Sequence, residues 1–241
     1  MKRSSGLALS SLVLCGATAL SLSSRTQAQQ PTPGTATPAP FAFSLPTKAP
    51  KGAIVLLLKD SKSLTDNWLK RRTKDPANGT IVDGVFTPNH SDITSRQEFG
   101  DFFLHVEFRC PEKGGGNAGI GLQGRYEVQI YNTAGAALSP TNGAAFYNQK
   151  PASVNASKKP GEWQTYDIVF RAPRFDAEGK VTEKPRATVY WNGVIAQNNN
   201  EFLGPTGINY EQYPTMAPTG PLILQGDHEV VQYRNVWVVP L

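Results

Sequence analysis

Cysteine is nearly missing from this chain, with two residues in 241, Cys15 and Cys110. Cys15 sits in a stretch that reads as a removable leader, so Cys110 is left alone, and one cysteine cannot close an internal disulfide. Stability must then come from a hydrophobic core. Cys110, at the end of an alternating apolar run, reads as structural rather than as a thiol nucleophile. Long apolar runs are missing too: the most apolar stretch, residues 7–22, is too short and too serine-rich to span a membrane. No segment of helical length keeps a 3.6-residue period, and no internal repeat is visible. Three histidines leave few candidates for imidazole chemistry.

What is present begins with Met1-Lys2-Arg3, the apolar run and then Thr26-Gln27-Ala28, the three parts of a secretory signal. The expectation is a signal peptide over residues 1–28 and export to the periplasm or the medium. A lipid anchor at Cys15 is disfavoured, because Leu14 stands where a small residue is wanted. Lys2, Arg3 and Arg25 leave with the leader and no acid does, so the formal charge falls from +5 to +2. Nothing in that balance calls for nucleic acid as a partner. Residues 29–50, rich in Pro, Thr and Ala, read as a spacer. Residues 51–241 are the size of one domain.

Within that domain strand signals recur: "AIVLLL", "TIVDGVFTP", "DFFLHVEFRC", "AGIGLQ", "YEVQIY", "WQTYDIVFRA", "RATVYWNGVIAQ", "PLILQG" and "VVQYRNVWVV". They are short, aromatic and β-branched, and Gly, Pro, Asn and Asp separate them. Asn192-Gly193 between two such runs is a strong hairpin signal. The pattern predicts an all-β fold, a β-sandwich or jelly roll of antiparallel sheets. The charged stretch 171–187 reads as a hairpin excursion at the edge.

Two strands carry polar faces. In "DFFLHVEFRC" Phe102, Leu104, Val106 and Phe108 share one side, and Phe103, His105, Glu107 and Arg109 the other. In "GRYEVQIY" Tyr126, Val128 and Ile130 oppose Arg125, Glu127, Gln129 and Tyr131. If both strands lie in one sheet, Glu107, Arg109, Arg125, Glu127 and Gln129 form one polar surface able to hold a ligand. A solvated face with Arg–Glu pairs is the alternative.

The landmarks "SLTDNW", "DGVF", "EFGDFFLHVEFRCP", "GNAGIGLQGRYEVQIYNTAG", "KKPGEWQTYDIVFRAPRFDAEGK", "WNGV" and "GPLILQGDHEVVQYRNVWV", in this order, resemble the 3-keto-disaccharide hydrolase domain family, once catalogued as a bacterial domain of unknown function. The resemblance covers most of residues 53–241. One landmark of the family more often reads Asn-Ser-Gly where Asn117-Ala118-Gly119 stands here, which argues against a nucleophile at that position. The resemblance implies a sandwich of the concanavalin-A-like lectin/glucanase type and an action on sugars oxidised at carbon 3. A ketone at carbon 3 acidifies the carbon 2 hydrogen, so a positioned base can start an elimination that water completes; direct displacement is the other route. Under that reading Glu127 is the base and His228 its acid/base partner, with Arg125 or Arg109 steadying the enolate. Gln129, Glu107, Gln225 and Asn117 join these arginines as substrate-binding candidates, and Trp163 and Tyr131 are candidates for stacking on a sugar. Trp191 and Trp237 read as core, His90 as a solvated turn residue, and His105 as either supporting the site or exposed. A divalent metal held by Glu127, His228 and another carboxylate is compatible with these residues, although no spacing matches a dedicated motif. Two rivals stand beside this reading: an endo-glucanase-like glycosidase, which needs a second carboxyl such as Glu107, and a carbohydrate-binding module without catalysis.

Overall fold

The computed structural model describes residues 45–241 apart from 58, 59, 210, 211 and 214. The expected signal peptide and most of the 29–50 spacer lie outside these residues. Fifteen strands are formed among the described residues, here in chain order: β1 (Ile54–Leu57), β2 (Trp68–Lys70), β3 (Gly79–Val82), β4 (Val85–Pro88), β5 (Ile93–Phe99), β6 (Phe102–Arg109), β7 (Ala118–Leu122) and β8 (Tyr126–Ile130). After them come β9 (Gln164–Arg171), β10 (Arg174–Phe175), β11 (Val181–Glu183), β12 (Arg186–Trp191), β13 (Val194–Glu201), β14 (Gly220–Leu224) and β15 (Gln232–Pro240). One sheet runs β13-β12-β9-β6-β15-β4-β3, with β1 also on β15; the second runs β2-β5-β14-β7-β8. The two pack as the predicted jelly-roll sandwich. No helix among the described residues is long and apolar enough to cross a membrane.

Turn chemistry sets the hairpins. Asn192 and Gly193 both take positive φ, 52° and 80°, as a two-residue hairpin with matched twist requires. Asp83-Gly84 does the same, at 51° and 76°, and splits "TIVDGVFTP" into β3 and β4 rather than one run. Gln123-Gly124 turns β7 into β8. The 171–187 excursion is the small hairpin β10–β11. The single α-helix among the described residues, α1 (Ser61–Asn67), escaped the periodicity argument because it spans two turns. Asp60 caps it by accepting the Ser63 N–H at 2.9 Å, a typical N-cap arrangement.

The core lies between the sheets. Phe102, Leu104, Val106 and Phe108 of β6 are buried against Tyr126, Val128 and Ile130 of β8 and their neighbours. Tyr126 reaches the ring of Phe170, on the opposite sheet, at 5.9 Å. Trp68 and Trp191 join this core, and Trp237 is also buried. Cys110 is buried as well, and burial pushes its thiol up to about 12, which leaves it unreactive. A Phe108→Ala substitution is expected to cost about 3–5 kcal/mol, read from denaturant unfolding, because a ring that packs 4.6 Å from Tyr166 leaves a cavity.

This packing corrects one expectation. β6 and β8 belong to different sheets, and in a sandwich the apolar faces meet while the polar faces look away from each other. Glu107 and Arg109 therefore lie on the far side of the molecule from Glu127 and Gln129.

Candidate functional site

The cleft forms on the outer face of the five-stranded sheet, over β7 and β8. Glu127 projects there from β8. Its strand is tied down on both sides: the Glu127 N–H donates to the Thr206 hydroxyl at 2.9 Å, and its carbonyl accepts from Tyr147 N–H at 3.2 Å. Space above the strand comes from glycine. On β7 Gly119 pairs with Gln129 and Gly121 with Glu127. A Cβ on Gly119 would sit 2.4 Å from Glu127 Oε1, and one on Gly121 would sit 2.8 Å from Ile223 Cβ. Gly119→Ala should thus displace the carboxyl while the sheet still forms. The expected result is a loss of about 10²-fold in turnover with the far-UV circular dichroism unchanged.

The cleft encloses about 170 Å³ and is lined by Asn117, Glu127, Tyr147, Gln225 and His228, with the backbone turn Gly207–Asn209 along one side. Glu127 is 4 % exposed. Burial pushes its carboxyl up to about 8, against the opposing pull of the Ile208 N–H that donates to it. Asp92 nearby raises it further and Arg71 lowers it. Gln129 is buried beside it, and its amide orientation follows from its surroundings. With the nitrogen toward β8 it donates to Glu127 Oε1 at 3.0 Å and to the Ala118 carbonyl at 2.8 Å, and its oxygen faces the Asn117 amide at 3.1 Å. His228 faces the cleft from the turn after β14, with its side chain 46 % exposed and its Nε2 3.6 Å from Asp227 Oδ1. The Gln225 N–H donates to the Gly119 carbonyl at 3.1 Å, and the Tyr233 hydroxyl donates to the Gln225 carbonyl at 2.6 Å.

Of the residues singled out in the sequence, the structure gathers Glu127, His228, Gln129, Asn117 and Gln225 at this cleft. It places the others elsewhere. Arg125 is buried and donates to the carbonyls of Thr215 (2.6 Å), Gln123 (2.8 Å) and Thr219 (3.3 Å), while stacking on Tyr213; it anchors Tyr213, Thr215 and Thr219 and is not placed to steady an enolate. Arg109 donates to Gln232 and lies over Trp163, which Arg234 also covers. That Trp163 is held by two guanidinium groups on the opposite sheet, away from the cleft. Tyr131 packs against Gly115. Glu107 accepts from Arg234 at 2.6 Å and from Asn235 at 2.8 Å. Burial acts to raise its proton affinity, but bonds from His105, Asn235 and Arg234 overcome this and hold it at about 2. The two glutamates thus differ in kind: bonds from His105, Asn235 and Arg234 keep Glu107 an anion, whereas burial holds the Glu127 carboxyl up at about 8. His105 is neither exposed nor at the cleft; it is buried, bonded through Nδ1 to Asp167 at 2.6 Å and stacked on Trp237. His90 is an exposed turn residue with φ of 48°. Ala118 is buried in the core, in keeping with no nucleophile there.

Among the described residues no three His, Cys, Asp or Glu side chains are grouped to hold a metal ion, so the set of Glu127, His228 and a further carboxylate is not formed from them. The sequence reading missed Gly119, Tyr147 and the Gly207–Asn209 turn. The alternation in "AGIGL", which puts Gly119 and Gly121 on one face, was a usable signal for cleared space over the neighbouring strand. Tyr147 carries no such signal.

The model of the 3-keto-alpha-glucoside-1,2-lyase-like domain matches residues 52–239. No curated protein matches the chain. A provisionally assigned glycosyl hydrolase from Parabacteroides distasonis ATCC 8503 is 34 % identical with a TM-score of 0.71, over 90 % of this chain and 95 % of that one. A second provisionally assigned glycosyl hydrolase of that organism shares the fold at 15 % identity and a TM-score of 0.55, over 73 % of this chain and 89 % of that one.

Proposed function

The chain belongs to the family of the 3-keto-alpha-glucoside-1,2-lyase-like domain, and on that premise we propose that it cleaves 3-keto-glycosides by elimination at carbons 1 and 2 followed by hydration. The family and its relatives support an action on carbohydrate, and the elimination chemistry rests on Glu127. A carboxyl on the floor of a small cleft, opposite an imidazole and held near 8, is suited to removing a proton from carbon next to a ketone.

Ionised Glu127 takes the hydrogen of carbon 2, and the electron pair moves into the carbon 2–carbon 3 bond as the ketone oxygen gains charge. The enolate re-forms the carbonyl and expels the oxygen on carbon 1, which receives a proton from His228. The aglycone leaves, and the enone takes up one water, its hydroxyl at carbon 1 and its hydrogen at carbon 2, to give the free 3-keto sugar, while Glu127 returns its proton to solvent and His228 regains one. Asn117 and Gln225, the amides that line the cleft, take the enolate-stabilising role first given to Arg125 and Arg109.

Two rivals lose support. A retaining glycosidase needs two carboxyls about 5–5.5 Å apart, and Glu127 is the single carboxylate among the described residues that line the cleft. A binding module is favoured by a flat aromatic platform with its glutamate paired to arginine, which describes Trp163 and Glu107 on the other sheet better than this cleft. The test is to offer the purified protein a 3-keto-glucoside and its unoxidised parent and follow aglycone release. Release from the keto compound alone is expected. Equal release from both would return the ordinary glycosidase, and release from neither would leave a binding module.

A further inference from the structure

Arg71 and Asp92 do not line the cleft, yet they connect its two sides. Their side chains are 1 % and 3 % exposed and meet at 3.2 Å, Nη1 to Oδ2. Arg71 also donates through Nη2 to the Ile208 carbonyl and through Nε to Gln212 Oε1 at 3.1 Å. Ile208 is the residue whose N–H holds the Glu127 carboxyl. The other oxygen of Asp92 accepts the N–H groups of Gly226 at 3.0 Å and Asp227 at 3.3 Å, directly ahead of His228. Gly226 has no room for a side chain, since a Cβ there would lie 2.3 Å from Pro88 Cβ. The Arg71 N–H donates to the Asp92 carbonyl at 2.9 Å, so backbone and side chains fix the pair together.

A buried ion pair is a weak device for stability alone, because apolar side chains of similar volume often serve as well or better. Apolar side chains cannot, however, hold backbone groups of two separate loops by hydrogen bonds. We propose that Arg71 and Asp92 are the positioning residues of the cleft: one ion pair clamps the Gly207–Asn209 turn that holds Glu127 and the turn that carries His228, and so sets the two reacting side chains relative to each other. This rests on the reading that Glu127 and His228 act together, and it adds a cause for their alignment.

The charges facing Glu127 give this a signature that lost packing lacks. They are Arg71, just after β2, and Asp92, just before β5; His228 from the turn after β14 shares the cleft, and Asp227 meets His228 and Asp92 rather than Glu127. Asp92 raises the proton affinity of Glu127 and Arg71 lowers it, so removing each partner shifts Glu127 in an opposite direction.

The experiment is a carbon-13 NMR titration of Glu127 in the full chain and in Asp92→Asn and Arg71→Met, with Glu127→Gln identifying the signal, beside kcat and KM on a 3-keto-glucoside. Expected are a titration at lower pH in Asp92→Asn, one at higher pH in Arg71→Met, and a kcat loss of about 10²-fold in both with KM little changed. The double variant Arg71→Met/Asp92→Leu is expected to melt no lower than the wild type and to keep the kcat loss. Shifts in one direction, no shifts, or a double variant with full kcat would overturn the proposal. A double variant that cannot be obtained folded would also overturn it, by making the pair a stability element. If the wild type does not turn over the keto sugar, the proposed function fails while the titration still decides the positioning role.

Discussion

Glu127→Gln is expected to lower kcat on a 3-keto-glycoside by about 10²–10⁴-fold, the usual contribution of a positioned general base. KM should change little, since glutamine fills the same space and can still accept the Ile208 N–H. In His228→Ala, where no titrating side chain supplies the leaving-group proton, activity should rise with pH and level off above about 8, because only the ionised carboxyl can take the carbon 2 proton and burial sets its midpoint there. A base poised near the working pH balances the fraction ionised against the strength of the base. His228→Ala should cost less, because the half-exposed imidazole sits where water can replace it as proton donor. The check is a pair of pH–rate profiles. Activity of His228→Ala that falls as pH passes 8 would make Glu127 an acid and overturn its assigned role.

The same substitution should stabilise the protein at alkaline pH. The folded-state affinity of Glu127 for its proton is raised from the ordinary 4.5 to about 8, so between these values the folded state holds a proton that the unfolded chain has lost. The sign follows: stability falls as pH rises through this window, and the stabilising contribution is gone above about 8. At 1.36 kcal/mol per unit the effect is on the order of 5 kcal/mol. Glutamine does not titrate. The Tm of Glu127→Gln should therefore match the wild type near pH 4–5 and exceed it by roughly 10 °C at pH 9. Thermal melts at the two pH values decide it; a gap independent of pH would mean that the carboxyl is not held above its ordinary range. A functional group that costs stability is the common trade at an active site.

Much of this was legible in the chain, and the reasons are local. The period-2 alternation of Tyr126, Val128 and Ile130 against Glu127 and Gln129 reports strand, face and candidate base at once. Asn192-Gly193 reports a hairpin, because few residues other than glycine and asparagine accept positive φ. What was not legible is long-range. Glu107 and Glu127 stand in the same alternating pattern, and only the assignment of β6 and β8 to different sheets turns them to opposite sides. Arg71, inside "LKRRTK", looks like part of a solvated basic cluster; its burial depends on Asp92, Ile208 and Gln212, far along the chain. Strand β5 was not recognised in "ITSRQEF" because its exposed residues run together at 96–98 instead of alternating.

The central claim is that cleavage begins with loss of the carbon 2 hydrogen to Glu127. A 3-keto-glucoside carrying deuterium at carbon 2 tests it most directly, with cleavage followed by NMR in ordinary water. The account predicts slower cleavage of the labelled compound and a released sugar whose carbon 2 carries solvent hydrogen, with cleavage of either compound slowed about 10²–10⁴-fold in Glu127→Gln. A sugar released at an undiminished rate with its deuterium still on carbon 2 would contradict it.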